Sequence, residues 1–578
     1  MKTICKLIKA TCTALGAILL FCIVIGTVFG MYGGGTAIQP HSVITVDFSH
    51  NFGEQATDNV WDDIIGRKGM RFADLLKSIE IAATDKRVDG IIARLDVSDL
   101  ELAQIQDVAR AITTFRKSGK KAYVFSQGFG PLGQGNREYY LATFFDKIYM
   151  QPHTTIGLTG IGIELPFARS ILDKLGVYPE FYTRYEYKTA MMSFTDEHIS
   201  ESYMAEMSRL GNSLMNDLKK DIVNNRKLTA DIDTIIDEAP LNAEKGKEYN
   251  LIDDIIYLPE LEALMKKDSA EKFIAVEDYA TQIQPNEGEL PTIAVLNLIG
   301  LINSGESSTD IDGQAVIGSQ SVAADLAEIE ELDNLKALIV RIDSPGGSYN
   351  AADEIYNALQ YLKNKKKIPV IVSQSGYAAS GGYFVSLAGD VIMAEPTTIT
   401  GSIGVLGGKF VLQDMWNKIG LNWTEIKIGK NAGILSINRP FSADEKRIFN
   451  QSLDEVYKDF TAKVAANRHL TADINKVARG RVWTGSEALE LGLVDKLGGY
   501  STAIGEAKNK AGIKPNEQIK IITYPREKSF SEKVREMVMQ SKVDTADILT
   551  QSGVDIRYLK LFKRLQYDTV LLPFMLNI

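Results

Sequence analysis

The chain has 578 residues, 45% of them hydrophobic and 24% charged, with a formal net charge of −10. That length exceeds what one hydrophobic core organises, so two or more domains are expected. The acidic balance, with no long basic stripe, argues against a nucleic-acid surface.

From Ala10 to Met31 no residue is charged, enough for one membrane crossing at about 20 residues per span. Lys2, Lys6 and Lys9 precede this run, and the next positive charge is Arg67. The positive-inside bias therefore predicts a cytoplasmic N-terminus over 1–9, an uncleaved transmembrane helix over 10–31, and everything after it outside. The competing reading is a cleavable signal peptide ending near Val28 and Gly30, but the apolar run is longer than a usual signal-peptide core. All three cysteines (Cys5, Cys12, Cys22) lie in or before the anchor, so the ectodomain has no disulfide and no cysteine nucleophile. His41, His50, His153, His198 and His469 show no ligand spacing, and neither a metal nor a cofactor is expected.

Beyond the anchor the sequence repeats itself. GIIARLD ending at Asp96 matches ALIVRID ending at Asp343, and Ser126-Gln127 matches Ser373-Gln374, both at an offset of 247. The offset becomes 244 where Asp146 matches Asp390 and Pro152 matches Pro396, and 242 where NRKLTAD (225–231) matches NRHLTAD (467–473). Repeat one is placed at 42–270, a linker at 271–289 and repeat two at 290–525. In each, short Val/Ile-rich runs alternate with helical patterns, which predicts an α/β fold with a largely parallel sheet. From 526 to 578 the chain turns basic and amphipathic, a segment suited to packing on a partner or lying at a lipid surface.

The stretch GYAASGGYF (376–384) follows the apolar run Pro369 to Val372. A strand that ends in small residues and turns into a helix displays a hydroxyl at the helix N-terminus, which makes Ser380 the candidate nucleophile. Repeat two also carries Asp343-Ser344-Pro345-Gly346-Gly347 after a strand. Paired glycines let backbone N–H groups approach a ligand closely, as an oxyanion hole requires. Repeat one reads Val97-Ser98-Asp99-Leu100 at the matching positions and has Asn136 opposite Ser380. It keeps Lys188 in YEYKTAMMSF instead, where repeat two has Ala432; neighbouring Lys430 leaves a two-residue shift of that register open. Complementary loss predicts one composite site, Ser380 from one repeat and Lys188 from the other, with the lysine acting as general base. Tyr185, Tyr187, Met191, Met192 and Phe194 are the expected apolar surround that would depress its pKa. A Ser-His-Asp triad is disfavoured, since His469 lies in a duplicated polar motif opposite Lys227.

DSPGG (343–347), YAASGGYF (377–384), GSIGV (401–405) and RVWTG (481–485) together closely resemble the signal peptide peptidase A family, in its long, tandem-duplicated, membrane-anchored form. The resemblance implies a tandem ClpP/crotonase-like fold, a serine protease with a Ser-Lys dyad, and a homotetrameric bowl at the bacterial inner membrane with its sites on the periplasmic side. It makes Ser380 the nucleophile, Lys188 the base, Ser402 the residue that orients the lysine, and the Gly346/Gly347 backbone with the Gly381 N–H the oxyanion hole. It implies remnant signal peptides as substrates. A crotonase-type acyl-CoA enzyme and a catalytically inactive membrane scaffold are the alternatives, and the sequence leaves open whether the dyad forms within one chain or between subunits.

Overall fold

The computed structural model describes residues 38–55, 69–130, 133–267, 272–283, 289–309, 314–470, 473–527, 532 and 570–571. The expected anchor and nearly all of the C-terminal extension lie outside these residues. Among the described residues no helix is long and apolar enough to cross a membrane.

Repeat one contributes β1 (Ser42–Asp47), β2 (Val88–Arg94), β3 (Lys121–Ser126), β4 (Lys147–Met150), β5 (Tyr178–Thr183), β6 (Asp254–Ile255) and β7 (Lys272–Ala275). Six of these form a parallel sheet in the order β6-β4-β3-β2-β1-β7, with β5 apart from it. Residues 271–289, expected as a linker, thus supply the edge strand β7 and a helix, Val276–Gln282, whose Val276 and Tyr279 enter the core. Only four residues of β7 alternate, between polar neighbours, too short a run to stand out as a strand.

Repeat two follows the same plan with β8 (Thr292–Ile299), β9 (Leu335–Ser344), β10 (Gly346–Gly347), β11 (Val370–Ala379), β12 (Val391–Ala394), β13 (Ile399–Gly401), β14 (Leu406–Val411), β15 (Val482–Thr484) and β16 (Lys520–Tyr524). The sheet order is β15-β13-β11-β9-β8-β16, with β12 also paired to β11. Its central strands read as unbroken apolar runs because helices cover both faces. In β9 every residue from Ala337 to Ile342 is buried, each aliphatic side chain contributing roughly 1.5–3 kcal/mol.

One face of sheet two packs on its own helices, including α4 (Tyr349–Lys366) and α5 (Gly381–Ser386). The other face shares a continuous core with repeat one through Ile293, Ile339, Ile371 and Met393, against the helix Phe72–Thr84 and α1 (Leu102–Lys117). A polar cluster crosses this shared core. Arg341 is fully buried and donates to Glu54 Oε1 at 2.7 Å, Ser373 Oγ at 3.0 Å and Ser375 Oγ at 2.9 Å, with Asp107 3.5 Å away. A buried guanidinium is tolerated only when so paired.

The repeats are also clasped at one side. β5 of repeat one runs antiparallel to β14 of repeat two over six residues, from Leu406 opposite Thr183 to Val411 opposite Tyr178. The chain between β5 and α3 (Glu201–Asn225) is thereby carried across to the Ser380 end of sheet two.

Candidate active site

Strand β11 ends at Ser380, which adopts φ 58° and ψ −114°. This conformation is rare for a residue with a side chain and costs of order 1–3 kcal/mol. The surrounding main chain holds it, since Ser380 N donates to Gly401 O at 2.8 Å and Ser380 O accepts from Phe384 N at 2.9 Å. Helix α5 can start here only because Gly382 has no side chain; a Cβ there would meet Ser344 O at 2.7 Å. Two glycines that sequence reasoning read as an oxyanion element therefore face two that allow the elbow to sit against them.

Lys188 reaches Ser380 from repeat one. Its Nζ lies 2.6 Å from Ser380 Oγ, 3.0 Å from Ser402 Oγ and 3.2 Å from Ser402 O. Only 1% of Lys188 is exposed, and burial pushes its pKa well below the ordinary lysine value against a smaller opposing pull from Glu206. The burial is achieved differently from the expected aromatic wall. The stem lies against Gly404, and Gly480 closes on the Lys188 main chain so tightly that a Cβ there would sit 2.4 Å from Lys188 N. Tyr185 and Tyr187 instead stack with Arg479 and Arg481, at 4.2 and 4.0 Å from ring centre to guanidinium. Met191 and Phe194 pack into the cluster behind the clasp, with Leu406 and Phe410.

Ser402 is itself in a left-handed conformation, φ 49°, with its N–H donating to Arg481 O at 2.7 Å. Gly346 and Gly347, at φ 111° and 150°, form β10 beside the elbow; a Cβ on Gly381 would lie 3.3 Å from Gly346 Cα and from Gly347 N. The Gly346 N–H donates to Ser344 Oγ at 3.2 Å. Residues Val570–Leu571, strand β17, run antiparallel across both glycines. Main chain in extended form thus already lies beside the serine.

The matching place in repeat one is filled. Asn136, at the head of α2 (Asn136–Ala142), donates from Nδ2 to Gly160 O at 2.8 Å and accepts from Gly160 N at 3.1 Å. Ala432 is exposed, and Lys430 points away to pair with Asp444. Neither offers a base. His469 is exposed just beyond α6 (Ala443–Asn467).

Sequence reasoning missed Glu206. It sits in α3, 3% exposed, and its Oε1 accepts from Val482 N at 2.9 Å while Oε2 has no partner. Arg209 donates to the Val482 carbonyl, so α3 side chains satisfy both peptide groups of Val482. Val482 pairs with Gly401 in β13, directly before Ser402. Desolvation raises the Glu206 pKa to about 8. A lone Glu on an amphipathic helix has no sequence signature that separates it from a surface residue.

Residues 313–399 match the Clp protease family model. With two parallel sheets of like order, this defines the class as a ClpP-like peptidase fold in tandem duplicate. The Peptidase family S49 model matches twice, over 114–272 and 362–514, once in each repeat. The chain belongs to peptidase family S49 and is a serine peptidase, which displaces the acyl-CoA and scaffold alternatives. "Serine protease SPPA, chloroplastic" of Arabidopsis thaliana is 32% identical over 469 residues, 79% of this chain and 68% of that protein. "Protease 4" of Haemophilus influenzae is 30% identical over 458 residues, 75% of this chain and 72% of its own. "Putative signal peptide peptidase SppA" of Enterococcus faecium is 30% identical over 220 residues, 38% of this chain and 63% of its own.

Proposed function

We propose that Ser380 and Lys188 form a Ser-Lys dyad that hydrolyses remnant signal peptides and similar apolar peptides at a membrane surface. The observation that carries this reading is the 2.6 Å approach of a buried lysine Nζ to the Oγ of a serine on a strained elbow. Neutral Lys188 accepts the Ser380 proton as Oγ attacks the scissile carbonyl. The oxyanion forms against the Gly346–Gly347 turn and the Gly381 N–H, where one well-placed donor lowers the barrier by about 3–4 kcal/mol. Gly346 has its own N–H engaged by Ser344, so Gly347 and Gly381 are the donors we assign. Protonated Lys188 then gives its proton to the leaving amine, and water hydrolyses the acyl-enzyme by the same route in reverse. Ser402 keeps the lysine lone pair aimed at Ser380.

In this reading residues 10–31 anchor the chain in the bacterial inner membrane with the site on the periplasmic side, and four copies assemble into a bowl. The uncharged run with three lysines before it supports the anchor. A membrane-held site meets apolar peptides where they partition.

Fluorophosphonate labelling of the detergent-solubilised protein across pH tests the dyad. Labelling that rises as the lysine deprotonates, and is lost in Ser380→Ala and in Lys188→Ala, is the expected result. Unchanged labelling in Lys188→Ala would remove the lysine from the mechanism.

A further inference from the structure

The clasp between the repeats is built from two parts, and each part has a second copy that lies open. In the clasp, β5 follows a helix that ends at Gly176 (φ 77°). At an offset of 244, residues 422–427 follow a helix that ends at Gly420, also at φ 77°. This counterpart of β5 is assigned to no strand, and Trp423, Ile426 and Ile428 are 57%, 88% and 95% exposed. The counterpart of β14, residues 162–167, is likewise in no strand, and its exposure alternates residue by residue. Ile163 and Leu165 from this edge, with Met204, Met207 and Met215 from α3, line a groove of about 550 Å³.

The chemistry of the two open parts matches that of the closed clasp. There, Tyr182 of β5 packs on Phe449 of α6, ring centres 6.3 Å apart. The counterpart of Tyr182 is Ile426, and the counterpart of Phe449, at the offset of 242 that relates α3 to α6, is Met207. The exposed knob and the open groove are thus the apolar pair that the clasp buries. The rung without an N–H recurs as well: Pro179 opposes Phe410 in the clasp, and Pro166 opposes Trp423 in the same register of the open edges. Glu164 would face Glu425, whose charge Arg439 and Lys427 already hold at 2.8 and 3.2 Å.

We propose that the two open edges pair between copies of this chain. Residues 422–427 of one copy run antiparallel to residues 162–167 of the next, with Ile426 seated in the groove against Met207. The contact is head-to-tail, so it closes into a ring in which every junction repeats the clasp. It rests on the reading of the protein as an oligomer and names the surfaces that make it. It also sorts the junctions by chemistry. The clasp within a chain brings Lys188 to Ser380, whereas the junction between chains brings Ala432 toward Asn136, which is locked to Gly160. Working and silent junctions alternate round the ring.

The test uses the full-length protein in detergent, with Cys5, Cys12 and Cys22 changed to Ser. Leu165→Cys and Thr424→Cys fall directly opposite one another in the proposed register, at about 4.5–5.5 Å between Cβ atoms. Oxidation of the double variant is expected to link chains into a ladder that ends at one closed species, with neither single variant doing so. Ile426→Asp combined with Ile428→Asp is expected to convert the oligomer to monomer by light scattering while Ser380 still labels. A monomeric wild type would overturn the oligomer reading itself. An oligomeric wild type with no cross-link and no response to the aspartates would overturn this interface alone. Loss of liposome binding in the aspartate variant, with the oligomer intact, would assign the patch to lipid and equally defeat the proposal.

Discussion

Replacing Ser402 by Ala removes one oxygen from the lysine's surroundings and leaves the elbow untouched. A neutral lysine has two N–H donors and one lone pair, and Lys188 Nζ has three partners in reach: Ser402 Oγ at 3.0 Å, Ser402 O at 3.2 Å and Ser380 Oγ at 2.6 Å. With the two Ser402 oxygens accepting, the lone pair can point only at Ser380. In Ser402→Ala one buried N–H loses its acceptor, which costs about 1–3 kcal/mol and corresponds to a fall of roughly 5- to 150-fold in kcat. KM for a peptide substrate should change little, because Ser402 is enclosed and touches no part of the cleft. The protonated lysine has three donors to place and loses more than the neutral one. The acid limb of the kcat/KM profile should therefore move to lower pH. Stopped-flow or fluorogenic-peptide kinetics across pH measure both effects. Full activity in Ser402→Ala at every pH, or a loss carried wholly by KM, would refute the orienting role.

Lys188→Met should raise Tm at pH 7: the folded lysine binds its proton less readily than the unfolded one, so its stability cost is largest below the depressed pKa and fades as pH rises toward the ordinary lysine value. A calorimetric Tm below wild type at neutral pH would contradict this. Glu206→Gln should be close to wild type in stability near pH 4 and progressively more stable up to pH 8, since a carboxyl raised to about 8 loses stability as pH rises through the window between its unfolded and folded values; a pH-independent Tm difference would show that its burial is not what sets the shift. Asn136→Ala should lower stability by about 1–3 kcal/mol through the two unpaired Gly160 peptide groups without altering fluorophosphonate labelling, checked by urea titration and gel readout. Arg341→Met, which strands Glu54 and Asp107 in the shared core, should cost about 3–5 kcal/mol, and an unchanged urea midpoint would mean that the carboxyls are already neutral.

The duplication was legible because a repeat needs only self-comparison, and the dyad because each repeat lost the half that the other retained. Strands such as 337–342 announced themselves by unbroken Val/Ile/Leu runs. What was not legible depends on distance in the fold. Gly404 and Gly480 bury the lysine by closeness of main chain, and no composition rule points to a glycine 292 residues away from Lys188 as its solvent shield. The aromatic residues beside Lys188 looked like that shield and are occupied by arginines instead. Glu206 escaped for the same reason as Arg341: an isolated charge is read as surface unless its burial is known. The edge strand β7 was too short for its alternation to rise above the polar residues around it.

The two repeats diverged in a way that follows from where their junctions lie. A serine elbow needs a lysine from the neighbouring repeat, so two like repeats joined in tandem make one junction inside the chain for every one that must form between chains. The inner junction assembles whenever the chain folds, and there the serine, the lysine and the paired glycines persist together. At the other, Asn136 has exchanged a nucleophile for two hydrogen bonds to Gly160, and the segment of Ala432 has exchanged a buried lysine for an exposed turn. Each exchange trades a costly feature, a strained serine or a desolvated amine, for ordinary stability. The site that survives is therefore the one whose completion does not depend on protein concentration.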